Sequence, residues 1–133
     1  MNANSGQLLV VDDSPSNREL LSRYFGARGF EVAHADCGAM ALSMIGQRRF
    51  DAVLLDILMP EINGIEVLKS IRQSYTPADL PVIVVSGRTA KEDIQLALDL
   101  GANDYITKPI DFVGAWTKLQ CAVGGASSKP APQ

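Results

Sequence analysis

The chain has 133 residues, 47% of them hydrophobic and 20% charged, with a formal net charge of -3. That length and balance fit one folded domain rather than a disordered segment, and the slight acidity offers no basic footprint for nucleic acid. No apolar run approaches the ~20 residues of a membrane-spanning helix. Residues 1–7, expected to be a flexible N-terminus, lack the basic and apolar regions of a signal peptide, so a soluble, cytoplasmic protein is expected.

The first predicted strand is Leu8-Leu9-Val10-Val11, which runs straight into Asp12-Asp13. A helix should follow, with Ser14 as N-cap and Pro15 at its first position. Leu20, Leu21, Tyr24 and Phe25 fall on one stripe of that helix and are expected to face a sheet, and Gly29 supplies the stop. Phe30 to Ala35 reads as a second strand, less apolar and so nearer an edge; it contains the lone histidine, His34, expected to be structural or surface-exposed. A second helix from Gly38 to about Arg48 turns Ala41, Leu42 and Ile45 inward.

The third strand, Ala52-Val53-Leu54-Leu55, ends in Asp56. After a loop at Pro60–Gly64, a third helix to about Gln73 presents Val67, Leu68 and Ile71. The fourth strand, Val82-Ile83-Val84-Val85, ends in Ser86-Gly87, and a fourth helix from about Ala90 to Leu100 turns Ile94, Ala97 and Leu98 inward. Tyr105-Ile106-Thr107 is the fifth strand, ending in Lys108-Pro109, and the last helix spans about Asp111 to Val123. Its stripe of Phe112, Trp116, Leu119 and Val123 is expected to pack into the core, leaving Cys121 on the opposite side. Residues 124–133, rich in Gly, Ser, Ala and Pro, read as a flexible tail or linker.

Apolar runs of four, bounded by turn residues and alternating with helices, predict an α/β fold: a five-stranded parallel sheet, doubly wound, with helices on both faces. A buried strand gains nothing from a carboxylate at its end. In such sheets the ligand crevice lies at the carboxyl ends of the strands. Asp12, Asp13, Asp56, Ser86 and Lys108 therefore mark one site assembled from distant segments. Three carboxylates in one small volume repel unless a cation is present, and hard oxygen ligands without His or Cys point to Mg²⁺. Lys108 adds a positive charge and Ser86 a hydroxyl that can donate to phosphate. The set suits phosphoryl transfer, with an aspartate as acceptor. The two cysteines, Cys37 and Cys121, have no metal-ligand spacing and are expected to be free thiols.

Four motifs occur in order: Val10-Val11-Asp12-Asp13-Ser14, Leu54-Leu55-Asp56-Ile57-Leu58-Met59-Pro60, Val84-Val85-Ser86-Gly87 and Asp104-Tyr105-Ile106-Thr107-Lys108-Pro109. In these the chain resembles the receiver domain of two-component response regulators, over about residues 8–123. The resemblance implies a flavodoxin-like sheet of order 2-1-3-4-5. It implies that Asp56 accepts a phosphoryl group from a phosphohistidine of a sensor histidine kinase or phosphotransfer protein. Asp12, Asp13, Asp56 and the backbone carbonyl of Leu58 would hold Mg²⁺, and Lys108 would pair with the phosphoryl group. Ser86 and Tyr105 would move on phosphorylation, and Lys108–Pro109 would be a cis peptide. The result would be a changed partner surface read by a downstream effector, with phosphorylation-linked homodimerisation compatible with the family.

The chain departs from the commonest pattern at Ile62, Asn63 and Gly87, none of which is a reacting group, and Leu58 and Arg88 would flank the site. Such a domain promotes its own phosphorylation and dephosphorylation without being an enzyme acting on other substrates. A phosphohydrolase of similar topology would need a second acid two residues after the nucleophile, where this chain has Leu58. A phosphorylation-independent interaction module is the alternative reading; the presence of every expected reacting group speaks against it.

Overall fold

The runs Leu8–Val11, 52–55 and 82–85 have no polar side chain, so each can be buried on both faces, and they occupy the middle of the sheet. In the computed structural model, which describes residues 6–57 and 63–127, they belong to β1 (Gly6–Val11), β3 (Ala52–Leu55) and β4 (Val82–Ser86). β2 (Phe30–Ala35) and β5 (Asp104–Thr107), which carry polar residues, form the edges. All pairs are parallel and the order is β2-β1-β3-β4-β5. This is the doubly wound, flavodoxin-like arrangement.

Side chains alternate across the sheet and so feed two cores. Leu9, Val11, Val53, Leu55, Val82 and Val84 face α2 (Gly38–Gln47), α3 (Gly64–Ser74) and α4 (Lys91–Asp99), meeting Ala41, Ile45, Val67, Leu68, Ile71 and Ala97. Leu8, Val10, Ala52, Leu54, Ile83 and Val85 face α1 (Pro15–Gly26) and α5 (Phe112–Ser127), meeting Leu21, Phe25, Ala115 and Leu119. Trp116 is partly buried against this second core, 6.1 Å from Phe25 between ring centroids. Removing such apolar surface from water is the main favourable term in folding.

Ser14 caps α1, its hydroxyl accepting from the Asn17 N–H, and Pro15 opens the helix. Gly29, at φ +102°, takes the left-handed conformation that turns the chain into β2. The expected stripe of α1 needs one correction. Leu21 and Phe25 are buried and Tyr24 partly so, but Leu20 is 52% exposed. At 100° per residue Leu20 sits about 120° round from the midpoint of Leu21 and Phe25, beyond the contact face. On α4 the buried residue is Ala97, while Leu98, 100° further round, is 38% exposed. Leu96 is exposed and Cys121 is exposed, both as the helical spacing suggests.

Two boundaries differ from expectation. Gly6 and Gln7 belong to β1: they pair with Phe30 and Glu31, and the Gln7 N–H donates to Asp51 Oδ2 at 2.7 Å. At the other end, residues 124–127 continue α5 rather than leaving it at Val123. A glycine costs a helix about 1 kcal/mol relative to alanine but removes no hydrogen bond, and no proline lies between Val123 and Pro130.

Candidate functional site

Strand register brings the site together. Val11 of β1 pairs with Leu55 of β3, so Asp12 and Asp56 leave neighbouring strands at the same level. Ser86 pairs with Thr107, so Lys108 leaves β5 one residue above Ser86. The ladder continues through all of them: the Asp56 N–H donates to the Val11 carbonyl at 2.9 Å, and the Lys108 N–H to the Ser86 carbonyl at 2.8 Å. Asp13 follows Asp12 at the strand end and is exposed.

Asp12 and Asp56 are 2% and 4% exposed, and Ser86 is fully buried. One carboxylate oxygen each from Asp12, Asp13 and Asp56 lies within 4.8 Å of the others. Lys108 Nζ sits 3.3 Å from Asp56 Oδ2 and 3.5 Å from Asp12 Oδ2. One ammonium thus faces two buried carboxylates with a third acid beside them, leaving excess negative charge in a low-dielectric mouth. A buried charge of this kind is stable only when paired or metal-bound. The donor set is all carboxylate oxygen, which fits a small hard cation such as Mg²⁺ and does not fit zinc or copper.

Asp12 is held in place by its own helix. The Ser14 N–H donates to its Oδ1 at 2.9 Å, the Asn17 amide to its Oδ2 at 3.3 Å, and the Arg18 guanidinium to its backbone carbonyl at 2.7 Å. Asn17 and Arg18 were not singled out as site residues. Their signal was weak: polar side chains in the first turn of a helix that starts directly after an acidic pair are within reach of that pair but can equally face solvent. Gly64 was likewise missed. A Cβ there would lie 2.4 Å from both the Asp56 carbonyl oxygen and Ile57 Cα, so only glycine lets α3 start against the Asp56 segment. Its N–H donates to the Ile57 carbonyl at 3.2 Å.

The remaining expected residues also have clear places. The Ser86 hydroxyl accepts from the Arg88 N–H at 3.1 Å. Tyr105 is buried, and its hydroxyl donates to the Arg88 carbonyl at 3.0 Å. The Lys108–Pro109 peptide is cis. Leu58, whose carbonyl was expected to be a metal ligand, lies outside the described residues, as does Ile62. His34 is exposed and contacts the Ser22 hydroxyl, away from the acidic cluster. Cys37 and Cys121 are both free. No helix among the described residues is long and apolar enough to cross a membrane.

Comparison with known proteins agrees with this geometry. The response regulator receiver domain family matches residues 8–119. Response regulator MprA of Mycobacterium sp. (strain KMS) is 41% identical over 126 residues, which cover 95% of this chain and 54% of that protein. A probable cyclic di-GMP phosphodiesterase of Vibrio cholerae is also 41% identical, over 105 residues covering 79% of this chain and 24% of its own length. The chain therefore spans about half or less of these curated relatives. Among solved structures, the receiver domain of Francisella response regulator 1452 superposes with a TM-score of 0.83 at 27% identity, covering 90% of this chain and 97% of that one. Chemotaxis protein CheY4 of Vibrio cholerae gives 0.80 at 29% identity, covering 87% and 97%. With the strand order, the acidic mouth and these matches in agreement, the chain belongs to the response regulator receiver domain family, the phosphoacceptor switches of two-component signalling.

Proposed function

We propose that Asp56 is the phosphoacceptor and that Asp12, Asp13 and Asp56 hold Mg²⁺, with the Leu58 carbonyl as a further ligand. The observation that carries this is Lys108 Nζ within 3.5 Å of both buried carboxylates, with Asp13 completing an all-oxygen cluster. An Asp56 oxygen attacks the phosphorus of a phosphohistidine. The P–N bond breaks, its electrons return to the imidazole nitrogen, and a P–O bond forms, giving an aspartyl phosphate. Bound Mg²⁺ supplies neutralisation of the phosphoryl oxygens. Asp12 is kept oriented by Ser14 and Asn17, Lys108 pairs with the added negative charge, and the Ser86 hydroxyl donates to a phosphoryl oxygen.

In this reading the domain is a switch rather than an enzyme for other substrates, promoting only its own phosphorylation and hydrolysis. A sensor kinase or phosphotransfer protein loads it. The new charge biases Ser86 and Tyr105, and thereby the surface of α4, β5 and α5 that an effector or a second copy reads. The receiver unit comprises residues 8–123, with β1 and α5 extending slightly beyond it, followed by a tail or linker. Two free cysteines suit a reducing, cytoplasmic location.

Incubation with Mg²⁺ and a small-molecule phosphodonor should add one phosphate, detected by intact mass. Asp56→Asn should lose it entirely while keeping the native circular dichroism spectrum. Undiminished labelling of that variant would remove Asp56 from its role.

A further inference from the structure

The connection between β4 and α4, residues 87–90, is exposed, yet three contacts converge on one of its residues. The Arg88 N–H donates to Ser86 Oγ at 3.1 Å, and its carbonyl accepts from the Tyr105 hydroxyl at 3.0 Å. Its guanidinium lies 3.6 Å from Asp93 Oδ2, in the first turn of α4. Ser86 and Tyr105 are both buried, so neither can shift without disturbing a bond that ends on Arg88. The phosphoryl transfer proposed above makes no use of the ion pair.

We propose that Arg88 is a positioning residue whose ion pair with Asp93 ties the start of α4 to the Ser86–Tyr105 hydrogen bonds, so that phosphorylation of Asp56 reaches α4. This rests on the phosphoacceptor reading and adds to it the link by which one helix is addressed. α4 is suited to respond to a weak link. Its N-cap, Ala90, offers no side-chain hydrogen bond, and Ala97 is its one fully buried residue. Elements with few buried contacts open at low free energy.

The pair itself is partly solvated, with side chains 51% and 31% exposed, so screening limits its effect to about fivefold in an equilibrium. That is enough to bias a helix anchored by Ala97 and the partly buried Ile94, and the effect should shrink as salt is raised. Asp93, with Glu92, also complements the positive end of the α4 dipole, so its removal weakens the helix in both states. The diagnostic quantity is therefore the change on phosphorylation, read in variants of both partners.

The experiment measures amide hydrogen exchange at residues 91–97 and at Tyr105 in the full chain. It compares samples before and after loading Asp56 from a small phosphodonor with Mg²⁺. Wild type should change in both regions. Asp93→Asn and Arg88→Gln should each take up phosphate and keep the Tyr105 response, while the response of α4 falls about two- to fivefold. The double variant should be no worse than either single one, because the two residues act as one contact. An α4 response of wild-type size in both single variants overturns the coupling, and so do losses that simply add in the double variant. Failure of wild type to take up phosphate is seen before any exchange is read, and it sinks the phosphoacceptor reading together with the coupling.

Discussion

The two ends of the sheet are built from similar material and use it in opposite ways. At the carboxyl end, Lys108 Nζ lies 3.3 and 3.5 Å from Asp56 and Asp12, and Asp13 belongs to the same acidic cluster. At the amino end, the hydrogen bonds of Arg72 of α3 run to neutral acceptors. Its Nε donates to the Gly101 carbonyl at 2.8 Å, one terminal nitrogen to the Leu80 carbonyl at 2.9 Å, and the other to Asn103 Oδ1 at 3.0 Å. Longer bonds reach the carbonyls of Tyr75 and Thr76. Asn103 in turn accepts from the Val82 N–H at 2.9 Å and donates to the Pro77 carbonyl at 3.2 Å. The amino end is a satisfied network that joins α3 to the starts of β4 and β5. The carboxyl end gathers three acids and one lysine, a formal surplus of negative charge that a cation can relieve. A fold can hold such a destabilised mouth when the opposite end is well tied.

The strongest way to break this contrast is Arg72→Ala. Loss of a guanidinium that serves several partly buried carbonyls should lower stability by about 2–4 kcal/mol, measured by urea unfolding. Phosphate uptake below the transition should stay at the wild-type level. A loss of uptake in still-folded protein would show that the two ends are not independent. Burial lowers the Arg72 pKa, with the Asp79 carboxylate opposing that shift. A lowered folded-state pKa on a cation costs stability while the group is charged, and that cost is relieved only as pH rises into the deprotonation range, which arginine does not reach. Stability contributed by this network should therefore be flat from roughly pH 5 to pH 9.

Gly64→Ala sharpens the other side. Its Cβ would meet the Asp56 carbonyl oxygen and Ile57 Cα at 2.4 Å, so either α3 or the Asp56 segment must move. A cost of about 1–3 kcal/mol is expected, together with slower phosphorylation, since the displaced backbone carries the acceptor. Normal kinetics in that variant would mean α3 alone gives way. Asp13→Asn should have a smaller effect of opposite sign. In metal-free buffer it relieves repulsion and raises stability by about 1 kcal/mol or less, and added Mg²⁺ should then raise the melting temperature less than in wild type. Leu20→Ala, at an exposed position outside both ends, should fall within about 0.5 kcal/mol of wild type.

Most of the site was legible because it follows from register. Once the four strand-forming runs are accepted as neighbouring parallel strands, the residues at their ends must share one edge, and Asp12, Asp56, Ser86 and Lys108 do. Helix faces were legible only to within a third of a turn. Leu20 and Leu98 are apolar and adjacent to the stripe, yet they lie round the helix beyond its contact face and are exposed. Gly64 and Arg72 were missed because their roles come from what approaches them in space. Nothing local distinguishes a glycine under an aspartate carbonyl from a loop glycine, or a half-buried arginine from a solvated one.

The account stands on acids from distant segments meeting around one divalent cation. The direct measurement is titration of ¹⁵N-labelled protein with Mn²⁺, a paramagnetic substitute for Mg²⁺, read as selective loss of amide signals. Signals around Asp12–Asp13, Asp56 and Lys108 should vanish first and together, and excess Mg²⁺ should restore them. Loss centred on another part of the surface, or scattered without any common centre, would contradict the assignment of this mouth as the metal and phosphate site.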